Sequence, residues 1–185
     1  MKAGVLALQG DFREHAQMLA ACGATPVLVR TPEELTGVDS LCIPGGESTT
    51  MGKLAAAHGL VEPIRWRAAE GMPIFGTCAG MIVLATEIDG GAPLLGLLDI
   101  GVERNAYGRQ VDSFEAEVDV RGVGPIRAVF IRAPRIRRVG PGVEVLAWHA
   151  GAPVVVLQGS LLAASFHPEM AGDPRLHERL LALAR

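Results

Sequence analysis

The chain has 185 residues, 49% hydrophobic and 20% charged, with Lys+Arg 17 against Asp+Glu 20 and a net charge of −3. That length fits one domain with a real core, and the apolar content excludes a disordered chain. No basic excess marks a nucleic-acid binder, and with aromatics at only 4% the core must be mostly aliphatic.

From the N-terminus, Ala3 to Leu8 reads as a buried strand whose apolar run is cut by Asp11, which argues against a signal peptide. Asp11 and Glu14 approach a capping-box pattern, Phe12, Ala16, Leu19 and Cys22 recur at helical spacing, and Gly23 suits the residue after a helix. Pro26 to Val29 is a second predicted strand, Thr31 to Leu35 a short helix with Pro in its first turn, and Asp39 to Ile43 a third strand. A helical segment runs from Ser48, breaks near Gly59 and resumes to about Glu70; Met72 to Phe75 is a fourth strand and Gly80 to Thr86 a short apolar helix. Such alternation predicts a parallel sheet wrapped by helices.

The second half changes character. Phe114, Ala116, Val118 and Val120 alternate with Glu115, Glu117 and Asp119, the pattern of a strand with one wet face. Further strands are expected at 126–131, 143–148, 153–157 and 161–166, as antiparallel additions to the parallel core, followed by a final helix opened by Asp173-Pro174. The uncharged stretch Val145 to Pro168 is long enough to span a bilayer, but Gly151, Pro153, Gln158, Gly159 and Ser160 break it into buried strands, so no membrane association is expected. Cysteines 22, 42 and 78 form no paired framework, which favours a reduced, cytoplasmic setting.

Three motifs carry chemistry. Gly76-Thr77-Cys78-Ala79-Gly80 lies between an apolar strand and an apolar helix, as a nucleophile elbow does. A sharp turn there leaves no room for side chains two residues either side of the thiol, and a helix N-terminus favours thiolate. In Ser165-Phe166-His167-Pro168-Glu169, proline keeps His167 extended at a strand end, and Glu169 can fold back to one ring nitrogen while the other faces a thiol. In Pro44-Gly45-Gly46-Glu47-Ser48-Thr49-Thr50, two glycines free backbone N–H groups to face a developing anion, although a plain connecting loop would read the same way. Histidines 15, 58, 149 and 177 have no charged partner at useful sequence spacing and are expected in the core or on the surface.

Together the elbow cysteine, His-Pro-Glu and Pro-Gly-Gly resemble class I glutamine amidotransferases. The run Pro44 to Met51, Leu8-Gln9-Gly10, Glu103-Arg104-Asn105-Ala106-Tyr107-Gly108-Arg109-Gln110, Asp112-Ser113-Phe114 and Phe130-Ile131-Arg132-Ala133-Pro134 narrow the likeness to the glutaminase subunits of pyridoxal 5′-phosphate synthases, over essentially the whole chain. That resemblance implies one glutaminase domain over residues 1–185, a three-layer α/β/α sandwich around a mixed, mostly parallel sheet. It implies Cys78 as nucleophile, His167 as base and then acid, and Glu169 as its orienter. Gly46 and Ala79 are implied as oxyanion-hole amides, and Gly46, Glu47, Ser48, Arg104, Ile131 and Arg132 as glutamine contacts. The implied partner is a barrel-shaped synthase subunit that consumes the ammonia, with the contact expected around Arg104 to Phe114 and the N-terminal strand and helix. No metal or cofactor is expected. A glutaminase serving another synthase, or a non-catalytic module on the same fold, stays open at this point. A His167 of ordinary basicity would make activity fall below about pH 6.

Overall fold

A computed structural model describes residues 1–104 and 113–184. The strands and helices follow in the order β1 (Lys2–Leu6), α1 (Phe12–Ala21), β2 (Thr25–Val29), α2 (Pro32–Thr36), β3 (Ser40–Ile43), α3 (Ser48–Ala57), α4 (Val61–Ala69), β4 (Ile74–Thr77) and α5 (Ala79–Leu84). There follow β5 (Ala85–Ile88), β6 (Leu98–Glu103), β7 (Ser113–Val120), β8 (Gly124–Ile131), β9 (Arg135–Val139), β10 (Glu144–His149), β11 (Ala152–Gln158), β12 (Leu161–Ala164) and α6 (Arg175–Leu183).

Seven strands form the central sheet in the order β10-β11-β12-β4-β3-β1-β2. The five from β12 to β2 run parallel, and β10 and β11 extend the edge antiparallel. Successive side chains of a strand point to opposite faces, and the core divides accordingly. Leu41, Ile43 and Ile74 pack on one face with α2 to α5 and with β5, β6 and β9. Ala3, Val5, Cys42 and Phe75 pack on the other with α1, α6 and the β7–β8 pair. The sheet is therefore mixed, mostly parallel and covered on both sides, as expected.

Local signals explain several helix ends. Thr31 and Glu34 complete a reciprocal capping box at α2. Glu47 caps α3 by accepting from the Thr49 and Thr50 amides. Gly59, at φ 66°, separates α3 from α4. Asp11 stands at the N-cap of α1 as expected, yet its side chain makes no capping bond there. It is turned toward His167 instead.

The expected antiparallel additions need three corrections. β12 pairs parallel with β4, because the crossing from β4 back to β12 passes through the whole intervening chain. Among the described residues β7 and β8 pair only with each other, and their buried side chains face α6 and the main sheet rather than extending it. A separate sheet β5-β6-β9 adds strands that the sequence pattern does not mark. Its strands alternate weakly and carry charged residues, as in Arg135–Val139, so periodicity did not mark them. The apolar helix also stops at Leu84, where Ala85 turns directly into β5.

The uncharged stretch 145–168 becomes β10, β11, β12 and the loop carrying His167. Among the described residues, no helix is long and apolar enough to cross a membrane.

Phe75 on β4 is fully buried, whereas Trp148 on the edge strand β10 is 60% exposed. Phe75→Ala is expected to cost about 3–5 kcal/mol of unfolding free energy and Trp148→Ala less than about 0.5 kcal/mol, read as the separation of their urea unfolding midpoints.

Candidate active site

In an open parallel sheet the carboxyl ends of the strands leave a crevice in which ligands bind. Here β1 leads to Gln9 and Asp11, β3 to Gly45 and Gly46, β4 to Cys78 and β12 to His167. A cleft of about 590 Å³ opens at that edge. It is bordered by Gln9, Asp11, Gly46, Glu47, Ser48, Cys78, Ala79, Ile82, Arg104, Ile131, Arg132, His167 and Met170. A larger hollow beside Trp66 and Arg67 contains neither a thiol nor an imidazole.

Cys78 is the residue between β4 and α5 and sits at φ 49°, ψ −105°. A positive φ is costly for a residue with a side chain, about 1–3 kcal/mol, and persists only where neighbours over-determine it. Those neighbours are visible. The Cys78 amide donates to the Ala164 carbonyl at 2.8 Å, fixing the turn against β12. A Cβ on Gly80 would stand 2.1 Å from the Ile43 carbonyl oxygen, and one on Gly76 2.6 Å from the Gly80 backbone. The spacing of glycines around Cys78 thus answers to backbone contact on both sides. The thiol lies 3.6 Å from the Ile131 carbonyl oxygen, toward which it can donate.

His167 is held by its own amide, which donates to the Val129 carbonyl of β8 at 2.8 Å. Its ring Nδ1 lies 2.6 Å from Glu169 Oε1 and 3.3 Å from Asp11 Oδ2. Gly45 packs so closely that a Cβ there would come within 2.3 Å of the ring. Burial opposes a charge on this imidazole, but hydrogen bonds to Asp11, the Cys78 thiol and Glu169 outweigh it and push its pKa up to about 12. Burial raises the Glu169 carboxyl, against the opposing pull of His167. The ordinary basicity assumed from sequence is therefore replaced by an imidazolium favoured through the neutral range, paired with the thiol. An activity loss centred near pH 6 from protonation of His167 does not fit these surroundings.

The residues expected to contact glutamine all border the cleft, in different ways. Glu47 has its carboxylate committed to the start of α3, where bonds from the Thr50 hydroxyl and the Thr49 amide lower its pKa to about 2. Its backbone N–H donates to Gln9 Oε1 at 2.7 Å. Ser48 is buried in the first turn of α3. Arg104 reaches across to Thr49 Oγ1 at 3.1 Å. Arg132, at φ 45°, is exposed at the end of β8. Ala79 is the first residue of α5, so its N–H has no partner within the helix. Gly46 turns at φ 143°, with Gln9 packed against it. Residues 105–110 and 112 of the motif blocks lie outside the described residues.

Sequence reasoning missed Asp11 and His15. By local spacing Asp11 reads as a helix cap and His15 as lacking a charged partner. They stand four residues apart, on one face of α1, and that face meets His167 and Glu169. His15 is fully buried with Nε2 3.4 Å from Glu169 Oε2. Its Nδ1 lies 2.8 Å from His177 Nε2 and 3.3 Å from Cys42 Sγ. His58 is exposed and His149 stacks on Phe130, in keeping with the expectation for them.

Among the described residues, two side-chain groups bring together possible cation ligands, His15–Cys42–His177 and Asp11–His167–Glu169. Their closest approaches, 2.8 and 2.6 Å, are hydrogen-bond distances. Atoms bound tetrahedrally to one ion at 2.0–2.1 Å stand about 3.3 Å apart. Both groups are hydrogen-bonded clusters in this geometry.

A thiol on a strained strand-to-helix turn, an imidazole backed by carboxylates and an adjacent helix N-terminus form a centre able to perform acyl transfer through a thioester. The chain belongs to the SNO glutamine amidotransferase family, whose model matches residues 5–182. It is 59% identical over 184 residues to a protein of Pelotomaculum thermopropionicum named pyridoxal 5′-phosphate synthase subunit PdxT, covering 98% of this chain and 94% of that one. A protein of the same name from Thermus thermophilus is 57% identical, covering 98% of this chain and 96% of that one. A solved structure described as a glutamine amidotransferase superposes with a TM-score of 0.95 at 55% identity, covering 98% of each chain.

Gly80→Ala must push the elbow off the Ile43 carbonyl. It is expected to lower glutaminase activity at least about tenfold while the folded fraction by circular dichroism stays high, since a 1 Å misplacement of a reacting group costs on the order of 100-fold in rate.

Proposed function

We propose that this chain, as one glutaminase domain spanning residues 1–185, hydrolyses L-glutamine to L-glutamate and ammonia with Cys78 as nucleophile, His167 as its acid–base partner and Glu169 as orienter. The observation that carries the reading is the convergence of the strained Cys78 turn and the His167–Glu169 pair, joined at 2.6 Å, at one end of one cleft.

The chemistry follows from the groups present. The Cys78 thiolate attacks the side-chain carbonyl carbon of glutamine, and the carbonyl electron pair moves to oxygen. The amides of Gly46 and Ala79 are the donors proposed to receive that oxyanion. The His167 imidazolium then gives its proton to the amide nitrogen, the C–N bond breaks, ammonia leaves and a glutamyl thioester remains. Water attacks the thioester while the now neutral His167 takes its proton, the C–S bond breaks, and glutamate departs with thiolate and imidazolium restored. Arg104 and Arg132 supply cationic groups suited to the substrate α-carboxylate. Glu47 and Ser48 border the same space, and Ile131 offers its backbone carbonyl.

The ammonia is proposed to pass to a synthase subunit that makes pyridoxal 5′-phosphate. This reading is supported by identity of more than half to proteins named as subunits of that synthase, across nearly their whole length. A cytoplasmic location agrees with three unpaired cysteines, two of them buried.

Reconstitution with the synthase subunit tests the reading. Glutamine is expected to yield equimolar glutamate and ammonia, and a glutamine analogue to label Cys78 covalently. Cys78→Ala should lower turnover by at least about 10³-fold; turnover that survives it would falsify the assignment. The pH profile supplies a second check. With His167 held protonated by its carboxylates, kcat/KM should show no fall centred near pH 6.5, and its alkaline limb should lie well above that value. Asp11→Asn removes one carboxylate from Nδ1, so the alkaline limb should move down by about one unit.

A further inference from the structure

Behind the His167–Glu169 pair, the carboxylate has a second oxygen. Glu169 Oε2 is buried and has no hydrogen-bond partner within ordinary limits among the described residues. A donor-capable side-chain atom facing it is His15 Nε2, at 3.4 Å. Contacts of this length between catalytic groups tighten when substrate engages them. We propose that His15 is a positioning residue for the glutaminase reaction: a neutral imidazole with its proton on Nε2, which holds the second oxygen of Glu169 and thereby fixes His167 opposite Cys78. The inference rests on the glutaminase reading of those three residues.

The tautomer follows from a count of donors. His15 Nδ1 faces His177 Nε2 at 2.8 Å and Cys42 Sγ at 3.3 Å, while Nε2 faces Thr77 Oγ1 at 3.0 Å and Glu169 Oε2. With the proton on Nδ1, a bare Nε2 lone pair would confront a carboxylate oxygen. His177 would then have to accept at Nε2 and carry its own proton on Nδ1, a buried atom with no partner. With the proton on Nε2, His177 donates to His15 Nδ1, the Cys42 thiol can donate to the same nitrogen, and His15 donates toward Thr77 and Glu169. Only an acceptor, His177 Nδ1, is left unmatched, and a buried orphan donor is the rarer defect.

The protonation states agree. Burial lowers the pKa of His15 well below the ordinary value, helped by His177 and His167. Burial likewise takes His177 down to about 4 and raises Cys42 well above the usual thiol range. The contact to Glu169 is therefore between a neutral ring and a carboxylate, not an ion pair. The titratable groups facing Glu169 or its neighbours come from several elements. These are Asp11 and His15 from α1, Cys42 from β3, Cys78 after β4, His167 after β12 and His177 from α6. Among them only His15 presents an N–H to Oε2, because His167 serves Oε1. Losing that N–H raises the carboxyl pKa further, which protonates Glu169 at a higher pH and frees His167 to turn.

The test measures glutaminase turnover of the complex with the synthase subunit from pH 5 to 9 for wild type, His15→Leu and His15→Gln. His15→Leu should lower kcat about tenfold to a hundredfold with little change in KM, and shift the acid limb of kcat/KM upward by about one unit. His15→Gln, whose amide N–H can reach the same oxygen, should recover most of kcat and the wild-type acid limb. A His15→Leu enzyme with wild-type kcat and acid limb overturns the proposal, as does a folded His15→Gln enzyme as impaired as His15→Leu. Nitrogen NMR of the wild-type chain decides independently of any variant's folding. A neutral His15 protonated at Nε2 at pH 7 supports the proposal, and a proton on Nδ1 overturns it. Inactive wild-type complex, or an active Cys78→Ala, would count against the glutaminase reading instead and would leave the NMR result standing.

Discussion

Everything at the site depends on the turn at Cys78. A strand in the middle of a parallel sheet must end, reverse direction and start a helix within one residue, and the backbone does so at a positive φ. The turn has no freedom to relax. Its amide is bonded to β12, the glycine two residues on is pressed against the β3 carbonyl, and α5 beyond it is buried along its whole length. The strain is local and the restraint comes from the sheet, so the thiol projects into the cleft at a fixed place. Because β12 holds the turn and also leads into His167, the same strand sets both the thiol and the imidazole.

The second constraint is electrostatic. His167 and Glu169 are almost fully buried, and so are His15, His177 and Cys42 behind them. A polar group without a partner is expensive in such a place. The chain meets this with a contiguous path, from His177 through His15 and Glu169 to His167, in which the rings at the back are neutral and charge is confined to the front. Asp11, partly exposed at the cleft mouth, adds a second carboxylate to His167. These surroundings favour an imidazolium beside Cys78.

Much of this organisation is legible in the chain itself. The alternation from Ala3 to Thr86 predicts the parallel half and its helices. The Gly-x-Cys-x-Gly and His-Pro-Glu runs mark residues that the fold then brings together. Glu47 is a mixed case, since its carboxylate caps α3 while its backbone borders the cleft. The strands β5, β6 and β9 escape because each is short and partly exposed, so their pairing partners matter more than their own periodicity. His15 escapes for a different reason. Its partners lie 154 and 162 positions away in sequence, at Glu169 and His177, and local spacing carries no information about them.

By itself, then, the sequence determined the class of fold, the Gly-x-Cys-x-Gly and His-Pro-Glu motifs and the likeness to a family, because those depend on short-range patterns of apolar spacing, glycine and proline. Only the tertiary structure decided that β12 runs parallel to β4, that Asp11 turns from its helix to His167, that the surroundings of His167 favour its charged form and that His15 stands behind Glu169. Those outcomes depend on which distant groups share one buried volume, and in a low-dielectric interior a few ångströms decide both the partner of a polar atom and the charge it carries.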